Sequence, residues 1–152
     1  MKLWVNGKSD HAGAAIQATI KGQVSEINRQ VLSRGVRVVN AIRNAELEVL
    51  KGQRSGRIYR KPFTKYATYT ASAPGEVPAR RTGNLRMHWN GQVKNGNISE
   101  GGATIVAELE SQESYAILLE NGTSKIEPRP FVEKIKEKAM PEIQKIYSEP
   151  YT

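Results

Sequence analysis

The stretch SDHAGAAIQATIKGQVSEINRQVLSRGVRVVNAIRNAELEVLKG, residues 9–52, decides the architecture. Its apolar positions are Ile16, Ile20, Val24, Ile27, Val31, Val38, Ile42, Ala45 and Val49. Successive steps are three or four residues, and Gly35 fills the wider gap between Val31 and Val38. With about 3.6 residues per turn, that spacing puts these side chains on one face of a helix. Ser9 or Asp10 suits the cap and Gly52 the end, so the sequence predicts one amphipathic helix of about 40 residues. Such a helix is about 60 Å long, more than a domain of this size is wide. Gly35, at a cost of about 1 kcal/mol relative to alanine, is the expected point of a bend or break.

Upstream, residues 1–8 read as a short strand or arm ending at an Asn6-Gly7 turn. Downstream, residues 53–83 are rich in Gly, Pro, Arg, Thr and Tyr and poor in aliphatic residues. Within them Arg57–Arg60 and Ala67–Ala71 are β-prone, and Ser72–Pro78 reads as an extended turn segment. A stretch of this kind in a small domain predicts a projecting ribbon or loop that a partner orders. From Leu85 the pattern changes: Leu85, Met87 and Trp89 alternate with polar residues, and Asn90-Gly91 and Asn95-Gly96 carry turn signals. Ala103–Leu109 is the strongest strand pattern. Tyr115–Glu120 is a short apolar piece, strand or one helical turn. Pro128 and Pro130 introduce a last helix with Phe131, Ile135, Ala139, Ile143 and Ile146 on one face, which Pro141 is expected to kink or split. The expectation is a single α+β domain over 1–152: a long N-terminal amphipathic helix, a β-ribbon arm at about 53–83, a small antiparallel sheet and a C-terminal helix.

Composition narrows the chemistry. The 152 residues contain no cysteine, which removes disulfides and thiolate catalysis. Met1–Gly7 lacks the apolar run of a secretion signal, and no stretch reaches the 18 or so apolar residues of a membrane span, so no membrane partner is expected. The two histidines, His11 and His88, stand apart and read as surface residues. No His/Asp/Glu group has metal-ligand spacing, and neither a nucleophile elbow nor a phosphate loop is present. Glu108 and Glu110 share a strand face, which suits a metal-binding carboxylate pair and equally a solvated edge. No enzyme and no cofactor is expected.

The charge distribution says more than the net +8. Lys51–Lys94 holds ten Lys and Arg against one acid, Glu76, whereas Asn95–Ser124 holds five Glu and no base. These blocks suit pairing within a subunit, or between neighbours in a head-to-tail ring. Arg54, Arg57, Arg60, Lys61 and Lys65 surround Tyr59, Phe63, Tyr66 and Tyr69. That composition also fits a single-strand groove, with charge for phosphates and rings for bases, so a basic DNA-binding module is the alternative of a different class.

Two groups of short motifs are more specific. One is Ala71-Ser72-Ala73-Pro74-Gly75-Glu76-Val77-Pro78-Ala79 followed by Thr82-Gly83-Asn84-Leu85-Arg86. The other is Tyr115-Ala116, Glu120-Asn121-Gly122-Thr123 and Arg129-Pro130-Phe131. With Gly56–Arg60 before them, their order and spacing over residues 56–131 resemble the siphophage neck or tail-completion proteins. Arg80-Arg81 departs from that pattern, as does Pro141. The resemblance implies a virion structural protein in the neck of a tailed bacteriophage, made in the bacterial cytoplasm, that joins head to tail. Its partners would be itself, in a six-fold or twelve-fold ring, together with head-closure, stopper or adaptor proteins and the tail terminator or tube. Lumenal DNA would be touched without sequence reading. A tail-terminator ring is the near alternative. The interface residues it points to are Arg57, Tyr59, Arg60, Pro74, Gly75, Glu76, Pro78, Arg80, Arg81, Gly83, Arg86, Glu120, Gly122, Thr123, Arg129 and Phe131. Gly83 and Gly122 are expected at positive φ or at a close approach of the chain, and Arg129, held between two prolines, suits a bidentate contact to a carboxylate, with Glu120 as the candidate partner and two independent surface charges as the alternative.

Overall fold

The computed structural model describes residues 10–99 and 102–152, with side chains described for 13–94 and 104–152. The strand expected over residues 1–8 and the capping side chain at Ser9 or Asp10 lie outside the described residues. The elements in chain order are α1 (Asp10–Val49), β1 (Ile58–Arg60), β2 (Thr68–Thr70), α2 (Asn84–Met87), β3 (Trp89–Ser99), β4 (Gly102–Ser111), α3 (Ala116–Asn121) and α4 (Val132–Ser148). The strands form two antiparallel pairs, β1–β2 and β3–β4. Together with the two principal helices they make the α+β arrangement expected from the sequence.

The three- and four-residue steps in residues 10–49 produce one continuous helix. Contrary to expectation, α1 is not broken at Gly35. A β-carbon there would stand 2.6 Å from Ile105 Cδ1 and 3.0 Å from Val93 Cγ1, so the glycine lets the β3–β4 pair lie directly on the helix. The same logic corrects the reading of Asn90-Gly91 and Asn95-Gly96 as turns, since both lie inside β3. Gly91 faces α1, where a β-carbon would meet Val39 Cγ1 at 2.5 Å. The pairing runs in register from Trp89↔Ser111 to Asn95↔Ile105 and then shifts before Ile98↔Ala103. Such an irregularity bends and twists a strand.

Leu85, Met87 and Trp89 were expected to alternate on a strand; instead residues 84–87 form the single turn α2, and β3 begins at Trp89. Gly83 enters that turn at φ 93 and Gly122 leaves α3 at φ 74, both positive as expected. The apolar piece at 115–120 resolves as the short helix α3. Pro141 does not split α4, which is helical from Val132 to Ser148. Both Pro141 and Glu137, whose carbonyl loses its helical partner there, lie on the solvent-exposed face of α4.

The core forms where α4 runs back along α1. Ile135 and Ala139 pack with Ala45, Leu50, Val77, Ala116 and Phe131. Further along, Ile146 packs with Val38 and Ala41. Burying each large aliphatic side chain contributes about 1.5–3 kcal/mol. Phe131 is almost fully enclosed and meets Trp89 edge to face, with ring centroids 6.2 Å apart. Past α4 the chain stays on α1. Arg34 donates to the carbonyls of Glu149 (2.5 Å) and Pro150 (2.9 Å) and lies 3.7 Å over the Tyr151 ring. Arg37 grips the Glu149 carboxylate with two bonds of 2.5 and 2.6 Å. Thr152 reaches one turn further, its N–H donating to the Gln30 side chain at 3.2 Å, and there the covered part of α1 ends.

Candidate assembly interface

Among the described residues three surfaces are open to a partner. The first is α1 ahead of the clasp, where Ile16 is 60% exposed and Ile27 46%, with Ile20 and Val24 between those values. The second is the β1–β2 ribbon, paired Ile58↔Thr70, Tyr59↔Tyr69 and Arg60↔Thr68. Tyr59 stacks on Tyr69 at 5.9 Å, and Arg57 lies 5.6 Å from the Tyr59 ring. Between the strands Phe63 is fully exposed at φ 61, a conformation costly for a bulky residue, and Tyr66 is almost as open. Arg57, Tyr59 and Arg60 of the sequence-based site are all exposed here.

The third is a cleft of about 400 Å³ floored by Leu50, Leu85, Tyr115 and Leu119. Arg80 and Arg81, both exposed, line it together with Arg86 and Gly83. Arg86 is partly committed inward, donating to the Leu47 carbonyl at 3.0 Å.

The remaining motif residues form a brace at the base of the ribbon. The Glu76 carboxylate accepts from the Ala73 N–H at 2.8 Å, the Ser55 N–H at 3.1 Å and the Ser55 hydroxyl. These donors hold its pKa down at about 2. Arg54 donates to the Pro78 carbonyl at 3.1 Å, and burial pushes its guanidinium pKa down. Gly75, at φ 77, receives Lys134 Nζ on its carbonyl at 3.0 Å, while Pro74 beside it is exposed.

Arg129 does not pair with Glu120. It donates to the Ser72 hydroxyl (2.5 Å), the Ala73 carbonyl (3.0 Å) and the Ser72 carbonyl, tying the ribbon's return strand to the start of α4. Glu120 instead accepts from the N–H groups of Phe131 (2.8 Å) and Val132 (3.2 Å). An acceptor is needed there because the first N–H groups of a helix have no partner within it. Gly122 is crowded by Pro128, 2.8 Å from where a β-carbon would be, and Thr123 bridges to Ile126. Phe131 and Pro78 are buried, so these two predicted interface residues belong to the packing of the subunit.

The charge blocks meet partly within the subunit. Lys94 pairs with Glu108 at 2.5 Å across β3–β4, and His88, just before β3, pairs with Glu113. Gln92 adds a bond to Glu108 at 3.2 Å, while Glu110 stays exposed.

Sequence reading missed one titratable group altogether. Glu46 is fully enclosed on α1, bonded through one oxygen to Arg43, and its Oε1 has no partner among the described residues. Burial pushes its pKa up to about 7 against the opposing pull of Arg43. Only its place on the core-facing side of α1 hinted at this. Among the described residues no group of three or more His, Asp or Glu is placed to hold a metal, and no helix is long and apolar enough to cross a membrane. No family model, curated protein or solved structure matches the chain.

Proposed function

We propose that this chain is a non-enzymatic structural protein of a tailed-phage virion, one subunit of a ring in the neck that joins head to tail. The observation that carries the reading is the apolar surface that the subunit itself leaves open on two extended elements, the first half of α1 and the β1–β2 ribbon. A protein that works alone rarely leaves large apolar side chains in contiguous stretches, and an assembly subunit does so where a neighbour will cover them. The motifs behind the neck resemblance support the same reading. Although they are spread over residues 71–131, their two ends meet at the base of the ribbon, where Glu76 holds Ser55 and Ala73 and Arg129 holds Ser72 and Ala73.

In this reading the ribbon and the Arg80–Arg81 cleft contact neighbours: other copies in a six-fold or twelve-fold ring, head-closure, stopper or adaptor proteins on one side, and the tail terminator or tube on the other. A tail-terminator ring, the near alternative, differs mainly in axial position. The ribbon's four cations, Arg57, Arg60, Lys61 and Lys65, beside exposed Tyr66 and Phe63, favour a second role in touching DNA along its backbone.

Native mass spectrometry of the full chain, with DNA titrations at two salt concentrations, separates these readings. A closed ring of six or twelve copies with weak DNA affinity is the expected result. A monomer that binds DNA with fixed stoichiometry and steep salt dependence would instead identify a DNA-binding module.

A further inference from the structure

We propose that the arginine-rimmed cleft beside α2 is a docking site for an acidic peptide segment of a different protein, which sets a large apolar side chain on the cleft floor and carboxylates on the arginines. The inference rests on the assembly reading and states the chemistry of one partner that the subunit meets.

Three elements build the floor: Leu50 follows α1, Leu85 lies in α2, and Tyr115 and Leu119 belong to the entry and body of α3. The cleft's volume of about 400 Å³ is near the small end for ligand sites, room for one or two side chains. Over this apolar floor stand three guanidinium groups. Arg86 is held in place, because its Nε donates at 3.0 Å to the Leu47 carbonyl in the last turn of α1, where carbonyls lack partners within the helix. That bond orients the guanidinium and leaves its two terminal nitrogens unbonded among the described residues, the fork that a carboxylate meets with two parallel bonds. Arg80 lies against the bare backbone of Gly83, where a β-carbon would stand 3.4 Å from its Nε. Arg81 beside it is exposed.

Among the described residues none of these three arginines forms a salt bridge. The carboxylates of the surrounding elements are committed elsewhere. Glu46 feels the charge of Arg86 but bonds to Arg43. Glu113 bonds to His88, Glu76 holds Ser55 and Ala73, and Glu120 accepts from the first N–H groups of α4. Three like charges around one cleft repel each other until an anion enters between them. The complement to this rim therefore comes from outside the subunit. Arg80 and Arg81 are also where the chain departs from the neck pattern, so the site belongs to this chain and not to the resemblance.

Floor and rim together select the occupant. A DNA duplex brings phosphates to the rim but nothing to fill an aliphatic floor. A single strand is held by stacking on aromatic faces, and the floor offers one, Tyr115, beside three leucines. A second copy of the chain presents no acidic patch among the described residues. On α4, Glu133, Glu137 and Glu142 are interleaved with Lys134, Lys136 and Lys138, and the exposed Glu110 and Glu127 stand singly. An acidic segment of another protein supplies both halves: an apolar side chain that takes the floor out of water, and carboxylates that pair with the guanidinium forks.

The probe is a fluorescein-labelled hexapeptide, Asp-Glu-Leu-Phe-Glu-Asp, titrated with the full chain and read by fluorescence anisotropy. One companion peptide carries Asn and Gln in place of the acids, another Gly in place of Leu and Phe, and a labelled single-stranded dodecanucleotide is titrated beside them. The proteins are wild type, the double variant Arg80→Ala with Arg81→Ala, and Lys145→Ala, which removes an exposed cation outside the cleft. Arg80 and Arg81 are exposed and lie outside both core clusters, so circular dichroism of the double variant should match wild type. The expected result is saturable binding of the acidic–apolar peptide by wild type and Lys145→Ala. The double variant, and either companion peptide on wild type, should bind at least about 10-fold more weakly. No saturable binding, or equal binding of the Gly peptide or the DNA strand, overturns the acidic-peptide site, while a ring seen by native mass spectrometry still supports the neck reading. A ring that the double variant alone fails to form makes a second copy the occupant, which also overturns it. Peptide binding as expected by a chain that forms no ring upholds the cleft site and removes the ring.

Discussion

Val39 Cγ1 occupies the space that a β-carbon on Gly91 would need, so α1 and β3 touch there through a methyl group and a bare backbone. Val39 is buried and β-branched on a helix, with little rotamer freedom to retreat. Gly91→Ala should therefore cost about 1–3 kcal/mol in urea unfolding, the range for overpacking a filled site. Gly22→Ala, in open space on the same helix, should instead raise far-UV helicity, since alanine is favoured by about 1 kcal/mol.

Glu120 and Arg129 serve different elements and should behave independently. Glu120→Ala removes the acceptor at the start of α4 and should cost about 1 kcal/mol, as for a lost cap. A double-mutant cycle between Glu120→Ala and Arg129→Met should give coupling under about 0.5 kcal/mol. The same cycle between Ser72→Ala and Arg129→Met should give clear coupling, because those side chains are 2.5 Å apart.

Much of this architecture was readable in the residues. The long helix declared itself because about nine turns of three- and four-residue spacing, from Ile16 to Val49, leave no competing period. The ribbon declared itself through β-prone pieces between Gly and Pro. The misreadings share a cause. Gly35 and Gly91 serve close approach, and a lone sequence does not distinguish that use of glycine from a break or a turn. α2 spans a single turn, too short for a helical period, although Leu85 and Trp89 do stand four apart. The capping role of Glu120 was invisible because it answers N–H groups eleven and twelve residues away.

Glu46 and Glu76 should give opposite pH responses. The Glu46 pKa is raised to about 7, so its favourable contribution is complete below the unfolded carboxylate value near 4.5 and is lost as pH rises through 7. Glu46→Gln should flatten that limb of the stability profile and raise Tm at pH 8, each kcal/mol regained appearing as about 2–4 °C.

Glu76, with a pKa lowered to about 2, stabilises the ribbon base above pH 4.5 and loses that contribution as pH falls toward 2. Glu76→Gln should speed amide exchange at Ser55 and Ala73 at pH 7, and this difference from wild type should shrink in acid.

The central claim is a place in the virion neck, and the most direct measurement is reconstruction of the particle by electron cryomicroscopy with the chain fitted into density. The prediction is a ring of six or twelve copies at the head–tail junction, the β1–β2 ribbon of each reaching a neighbouring subunit or ring. Density for the chain in the capsid shell or at the distal tail tip, or a mature particle that lacks it, would contradict the claim.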